Sequence, residues 1–185
     1  MHESIRRQHK FVWLCVTHKG VKAVNSAALL CFKPPITDAM LDADGFPGDP
    51  SVEAGNIILR REVRLRLSRN LDKPRGFVNG ALAIVRHVLS QCAAVVELLS
   101  GKYCLLHAVS DGQRSFLPCS YGYATTIRKS QGASLHAIVL YFDHCYPPER
   151  GYGYVGASRA RSKAGLYHYG RIRNHSGCLS DVLAP

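Results

Sequence analysis

Six consecutive apolar residues, F-V-W-L-C-V at 11–16, form an unbroken run of strand length, the pattern of a buried strand. T-H-K-G follows as a turn, and then Val21, Val24, Ala28 and Phe32 recur at helical spacing until Pro34-Pro35 stops them. Strand, turn and helix in that order are the βα half of an α/β unit. Residues 34–57 break the pattern. They are rich in Pro and Gly and carry Asp38, Asp42, Asp44, Asp49 and Glu53, which predicts an acidic loop or linker. From 62 the period becomes two. Val63, Leu65 and Leu67 alternate with Arg64, Arg66 and Ser68, predicting a half-buried strand with a basic outer face. Asn79-Gly80 between apolar runs is a hairpin signal, because a type I′ turn needs positive φ at both central residues. Further strands are predicted at 81–89, 93–99, 103–109 and 115–117, and short strands with tight turns suggest a small barrel. Residues 57–117 therefore read as an all-β insert. Beyond it, 120–127 and 137–142 are strand-like. Tyr152, Val155, Gly156 and Arg159 share one face of a helix, and L-Y-H-Y at 166–169 is a final strand. The resulting class is α/β, interrupted by β structure.

Composition narrows the partners more than the fold. At 185 residues and 46% hydrophobic, the chain is long and apolar enough for one domain carrying a small insert. Lys and Arg number 24 against 13 acids, a net charge of +11, which favours polyanions, nucleic acid first. The seven cysteines stand at 15, 31, 92, 104, 119, 145 and 178 without a C-x-x-C pair. An odd count at wide spacing suits a reducing compartment, the nucleus or cytoplasm, with the mitochondrion open. It also predicts no metal site, since zinc ligands come in close pairs. Cys15 and Cys31 read as inert core thiols. No apolar run approaches the ~18 residues of a membrane span, and 11–16 is shorter than a secretory core.

Two short stretches carry candidate chemistry. In T-T-I-R-K-S-Q-G (125–132), a buried strand ends in hydroxyls at Thr125, Thr126 and Ser130, a cation at Lys129 and a glycine at Gly132, groups suited to phosphate oxygens. In Y-V-G-A-S-R-A-R-S (154–162), Arg159 and Arg161 stand among small residues, where the planar guanidinium fork matches phosphate geometry. Arg60, Arg61, Arg64, Arg66 and Arg69 are either a nucleic-acid track or a solvated strand face. Tyr121, Tyr123 and Tyr152 are either base-stacking rings or packing residues. Tyr141 reads as core, and Asp143 as a strand-end acid without a partner.

Taken together, these stretches resemble superfamily 1 helicases of the PIF and RecD type. T-I-R-K-S-Q-G is similar to motif V (usually T-I-H-K-S-Q-G), and Y-V-G-A-S-R-A-R-S to motif VI (usually Y-V-A-L-S-R-V-R-S). L-S-R-N-L-D-K-P-R-G-F-V-N-G (67–80) resembles the L-x-R-N-x-D…G-L-V-N-G stretch that leads into the family's inserted barrel. T-H-K-G-V-K-A-V-N (17–25) resembles its T-N-x-x-V-x-x-x-N. The resemblance spans roughly residues 11–170. It implies a second RecA-like motor domain, 1–56 with 118–185, interrupted by a small β-barrel at 57–117. It further implies that Arg159 is the catalytic arginine finger reaching the γ-phosphate of ATP, with Gln131 and Gly132 beside the nucleotide. Thr126, Arg128, Lys129 and Ser130 would hold single-stranded DNA. Such enzymes move 5′ to 3′ and serve repair and recombination. This sequence departs from the pattern at Arg128, where the family has His, at Gly153 and Gly156, where Ala is usual, and at Ala157 in place of Leu.

No G-x-x-x-x-G-K-[ST] occurs, nor a strand ending in paired acids. ATP and Mg would therefore be held mainly by an N-terminal RecA-like domain with Walker A and B motifs, absent from this chain, and the chain alone is expected to hydrolyse no ATP. It is then a fragment of a longer helicase, a chain whose other half lies elsewhere, or a relic. The alternative is a stand-alone or degenerate basic nucleic-acid-binding module. A thiol enzyme is a weaker third reading.

Overall fold

The computed structural model describes residues 11–142 and 151–169. They fall into two compact units, Met1–Asn25 with Tyr123–Pro185, and Ser26–Gly122.

The first unit is built on a parallel sheet. Strand β1 (Phe11–Cys15) is followed by helix α1 (His18–Leu30), which crosses into the second unit. Thr17 starts the helix: its Oγ1 accepts a hydrogen bond from the Gly20 amide at 3.0 Å, satisfying one of the free first-turn donors. That cap sets the start three residues before the periodic pattern at Val21.

The second unit follows. It runs through α2 (Asp38–Asp44), β2 (Phe46–Pro47), β3 (Asn56–Ile57), β4 (Arg64–Leu67), β5 (Leu82–Ser90), β6 (Ala93–Leu98), β7 (Tyr103–His107), β8 (Val109–Asp111), β9 (Arg114–Phe116) and β10 (Cys119–Tyr121). The chain then returns to the first unit with β11 (Ala124–Thr126), β12 (Ala137–Tyr141), α3 (Tyr152–Ala157) and β13 (Leu166–Tyr169).

In the first unit the strand order is β11-β1-β12-β13, all parallel. Cys15 is level with Thr126 and with Tyr141, and Tyr141 with Tyr169, so the carboxyl ends of the strands form one rim. Val12, Leu14, Ile138 and Leu140 are at most 3% exposed and form the core face. A β-carbon on Gly156 of α3 would stand 2.6 Å from Leu140 Cδ2, so α3 lies tight against that face. Phe11, Trp13, Tyr141, Tyr167 and Tyr169 line the opposite face in edge-to-face contacts, Trp13 and Tyr141 with centroids 6.1 Å apart. Tyr141, expected in the core, is only half-buried there.

The all-β stretch expected at 57–117 lies within the second unit, which also takes in residues 26–56 and helix α2. Its main sheet is antiparallel, ordered β10-β4-β5-β6-β7. Among the described residues no ladder joins β7 back to β10. Leu65, Leu67, Val85, Val96, Leu106 and Phe77 are fully buried.

Three expectations change here. First, the acidic stretch 34–57 is more than a linker. It carries α2, β2 and β3, and Gly48 bridges Leu117 while the Leu117 amide donates to Pro47 O at 2.8 Å. Asp49 is fully buried. It accepts from the Ser51 amide and hydroxyl at 3.0 and 2.7 Å, from the Ser68 hydroxyl at 2.7 Å and from Arg69 Nε at 3.2 Å. Burial would raise its pKa, but these donors outweigh that and hold the carboxyl below its ordinary value. Burial, and then the Asp49 charge, push the nearby Cys119 thiol well up.

Second, the outer face of β4 is not a basic solvated face. Arg64 is 1% exposed, with Nε donating to Gly122 O at 2.8 Å. Arg66 has Nε and Nη2 buried without a partner, and burial lowers its pKa to about 10. Its Nη1 reaches only the Gly80 carbonyl, at 3.5 Å. Third, Asn79-Gly80 does not join two strands directly. Only Gly80 has positive φ, 85°, and Ala81 N donates to Val78 O at 3.0 Å, as in a turn with glycine at its third position. Asn79 keeps negative φ, and its amide bonds to Asn70 Oδ1 at 2.9 Å.

Among the described cysteines all are free. Cys15 and Cys119 are buried, but Cys31, expected in the core, is exposed. Asp143, Cys145 and Cys178 lie outside the described residues.

Candidate nucleotide and nucleic-acid site

The rim at the carboxyl ends of β1, β11 and β12 is where parallel α/β sheets place ligands. One segment leaves this rim and crosses toward the amino end of β12, where it joins a second at Leu135. The first leaves β11 at Thr126 and turns through a 3-10 segment, Arg128–Ser130. Thr125 and Thr126 are buried. Thr126 Oγ1 accepts from the Lys129 amide at 3.3 Å, and the Ser130 hydroxyl, 1% exposed, donates to Ile127 O at 2.7 Å. These hydroxyls are spent on shaping the turn. Arg128, Lys129, Gln131 and Gly132 are exposed on its outside. The Arg128 guanidinium Nε donates to the Tyr152 hydroxyl at 2.5 Å, and its carbon lies 5.7 Å from the centre of that ring.

The second segment is α3 with the residues after it. Arg159 is half-buried. Its Nε donates to Val155 O at 3.2 Å, Nη1 to Ala133 O at 3.5 Å and Nη2 to the Ser158 hydroxyl at 2.9 Å. Ser158 in turn donates to Val155 O at 3.0 Å. The guanidinium is therefore gathered at one place by weak acceptors, not walled into the core, and makes no ion pair with a carboxylate among the described residues.

Backbone bonds tie the segments together. Leu135 N donates to Arg159 O at 2.8 Å, and Arg161 N to Leu135 O at 2.9 Å. Arg161 Nη1 and His136 Nε2 are 3.0 Å apart. The residues that follow the 126–132 turn thus form one parallel bridge with the residues that carry Arg159. Arg159 thus meets the chain at Ala133 and Leu135, just after the turn, whose Arg128, Lys129, Gln131 and Gly132 are exposed while Thr126 and Ser130 are buried.

Sequence reasoning missed Asn25 in this unit. Its Oδ1 accepts from the Tyr123 and Ala124 amides at 3.2 and 3.1 Å, fixing the start of β11 and hence the turn that follows. The only sign in sequence was the position of Asn25 at the end of the 17–25 stretch. Tyr121 and Tyr123 are buried at 6% and 5%, so they pack rather than stack bases, and Tyr121 Oη accepts from the Ile58 amide at 2.8 Å.

The exposed cations of this set suit an anion. Among the described residues no group of three or more His, Cys, Asp and Glu could hold a metal ion. The cations fit phosphate oxygens, but no glycine-rich loop is present to cradle a triphosphate.

Comparison with known proteins agrees with this geometry. Residues 121–167 match the UvrD-like helicase C-terminal domain. The chain is 31% identical over 121 residues to the ATP-dependent DNA helicase PIF1 of Xenopus laevis, covering 60% of this chain and 19% of that protein. It is 32% identical over 119 residues to that of Homo sapiens, covering 58% and 18%. The chain thus spans about a fifth of the length of the curated relatives it matches. A Pif1 helicase from Bacteroides, solved with ADP-AlF3 and ssDNA, shares the fold with a TM-score of 0.61 at 21% identity, over 88% of this chain and 41% of that one. Pif1 from Candida albicans gives 0.60 at 18%, over 87% and 45%. The chain is thus similar in sequence, over about 60% of its length, to PIF1 helicases, its residues 121–167 resemble the UvrD-like helicase C-terminal domain, and it shares the fold of solved Pif1 structures.

Proposed function

We propose that this chain is the second motor half of an ATP-dependent 5′–3′ DNA helicase. In this reading 1–56 and 118–185 form the motor domain and 57–117 its insert. Arg159 is the arginine finger. The observation that carries the reading is its guanidinium, held beside the end of the 126–132 turn with Nη1 3.5 Å from Ala133 O and with no acid committed to it among the described residues. The phosphate loop, the Walker acids, ATP and Mg belong to an N-terminal RecA-like domain outside this chain, and Mg supplies charge neutralisation between the phosphates there.

The chemistry asked of Arg159 is electrostatic. As the γ-phosphoryl leaves, charge grows on its oxygens, and a positioned guanidinium neutralises it, an effect of about 10³–10⁵ in rate in related finger systems. Its three present acceptors are neutral, so exchanging them for phosphate oxygens is favourable. Arg128 and Lys129 contact single-strand phosphates, while Thr126 and Ser130 serve the grip by holding the turn in shape. Gln131 and Gly132 lie between the two functions. The 133–136 bridge to Arg159 gives nucleotide state and strand grip a shared backbone element.

The test joins this chain to a phosphate-loop domain of the family and measures DNA-stimulated ATP hydrolysis. The isolated chain hydrolyses no ATP. The fusion hydrolyses it, and Arg159→Ala lowers turnover at least about a hundredfold with strand affinity within about twofold. A fusion whose turnover is indifferent to Arg159→Ala overturns the motor reading and leaves the stand-alone binding module.

A further inference from the structure

The outer face of β6–β7 presents an aromatic platform with a basic rim. Cross-strand pairs share a face, and Tyr103 stands opposite Glu97 and Leu105 opposite Val95. Their alternates, Val96 and Leu106, are fully buried, whereas Tyr103 and Leu105 are each 50% exposed. The sheet therefore turns its core inward here and leaves a tyrosine ring and a leucine in solvent.

The hairpin at 72–77 leans against the same end of the sheet. Arg75 Nη2 donates to Tyr103 O, and a β-carbon on Gly76 would stand 3.6 Å from Leu98 Cδ1. This sets the Arg75 guanidinium at the residue after Lys102, which precedes Tyr103 in the turn after β6, with Lys73 two residues before Arg75 in the same hairpin. Lys73 and Lys102 are exposed and make no ion pair among the described residues. The neighbouring acids are committed: Asp72 to Arg75 at 3.4 Å, and Glu97 and Glu62 to Arg86 at 2.5 and 2.6 Å. The patch is thus net positive around a free ring.

We propose that this surface is a second single-strand contact, distinct from the 126–132 turn, in which the Tyr103 ring stacks on a base while Lys73, Arg75 and Lys102 take the flanking phosphates. A π-face beside cations accepts any base, so the contact is sequence-tolerant. It rests on the reading that the chain handles single strands.

The experiment is fluorescence anisotropy of the full chain with a labelled oligothymidylate over a range of salt concentrations. Tyr103→Ala weakens binding about 5- to 100-fold with the salt slope unchanged, and Tyr103→Phe, which keeps the ring, restores it. Lys73→Ala with Lys102→Ala makes the slope shallower by about 1.4, two phosphates at roughly 0.7 each. These side chains are exposed, so thermal melts stay within a few degrees of the parent. Should Tyr103→Ala bind within twofold of the parent while Lys129→Ala weakens binding, this contact is refuted and the turn remains. Should Lys129→Ala have no effect while Tyr103→Ala does, the contact stands and the assignment of the turn fails. A parent chain that binds no strand overturns both.

Discussion

Gly156 poses a question of which force wins. It lies inside α3, where replacing Gly by Ala ordinarily gains about 1 kcal/mol of helix propensity. The substitution meets a wall, however. The added carbon would stand 2.6 Å from Leu140 Cδ2, against the roughly 3.5–4.0 Å of a relaxed carbon contact, so one of them must move by about 1 Å. Leu140 is fully buried in a strand paired on both edges, opposite Leu14 and His168, which leaves its side chain little room. Overpacking of this kind costs about 1–3 kcal/mol. The expected net effect of Gly156→Ala is therefore a loss of about 1 kcal/mol. Trp13, the only tryptophan, lies opposite Val139 on the adjacent strand, and its emission during urea unfolding reports this sheet. In a Leu140→Val background, where the clash has room to relax, Gly156→Ala should cost less by at least about 0.5 kcal/mol. A Gly156→Ala chain stabilised by the full 1 kcal/mol would refute the tight seat of α3.

Other consequences are as direct. Asp49→Asn leaves two donors facing an amide in a buried site, and should destabilise the second unit by roughly 3 kcal/mol, read from its denaturation midpoint. Because the folded Asp49 pKa is depressed, its contribution is present above the ordinary carboxylate value of 3.8 and is lost as pH falls through the lower folded value. The parent should therefore lose stability as pH falls from 3.8 through the lower folded value, with a steeper acid limb than Asp49→Asn. At the turn, Lys129→Ala should make the salt dependence of strand binding shallower by about 0.7. Ser130→Ala removes a 2.7 Å bond from a buried hydroxyl. It should cost about 1 kcal/mol of stability and leave that salt slope unchanged; a shallower slope would mean that Ser130 itself touches phosphate.

Much of the scaffold could be read along the chain. The apolar run at 11–16, the alternation from 63 and the apolar stretch at 137–142 each fix a strand, because burial of a strand face is written locally in every second side chain. The two late motifs marked the turn after β11 and the helix before Arg159, since strand ends and small residues beside cations are short-range features. What escaped depends on contacts across long separations. Asn25 meets the backbone of Tyr123 and Ala124, and Asp49 gathers Ser68 and Arg69. No periodicity reports such a meeting.

The alternation also misled at Arg64. A polar residue on the second face predicts solvent, but the Gly122 carbonyl waits there, and the guanidinium is buried against it. Thr126 and Ser130 looked like phosphate ligands by residue type, yet their hydroxyls close the turn instead. The sequence by itself thus determined the order of the main strands with α1 and α3, and the residue types at the rim, but not α2, β2 or β3. Only the tertiary structure decided which of those side chains face outward. Hydrophobic patterning reports which face of an element is apolar, whereas a polar group's direction is set by whichever donor or acceptor folding brings within about 3 Å.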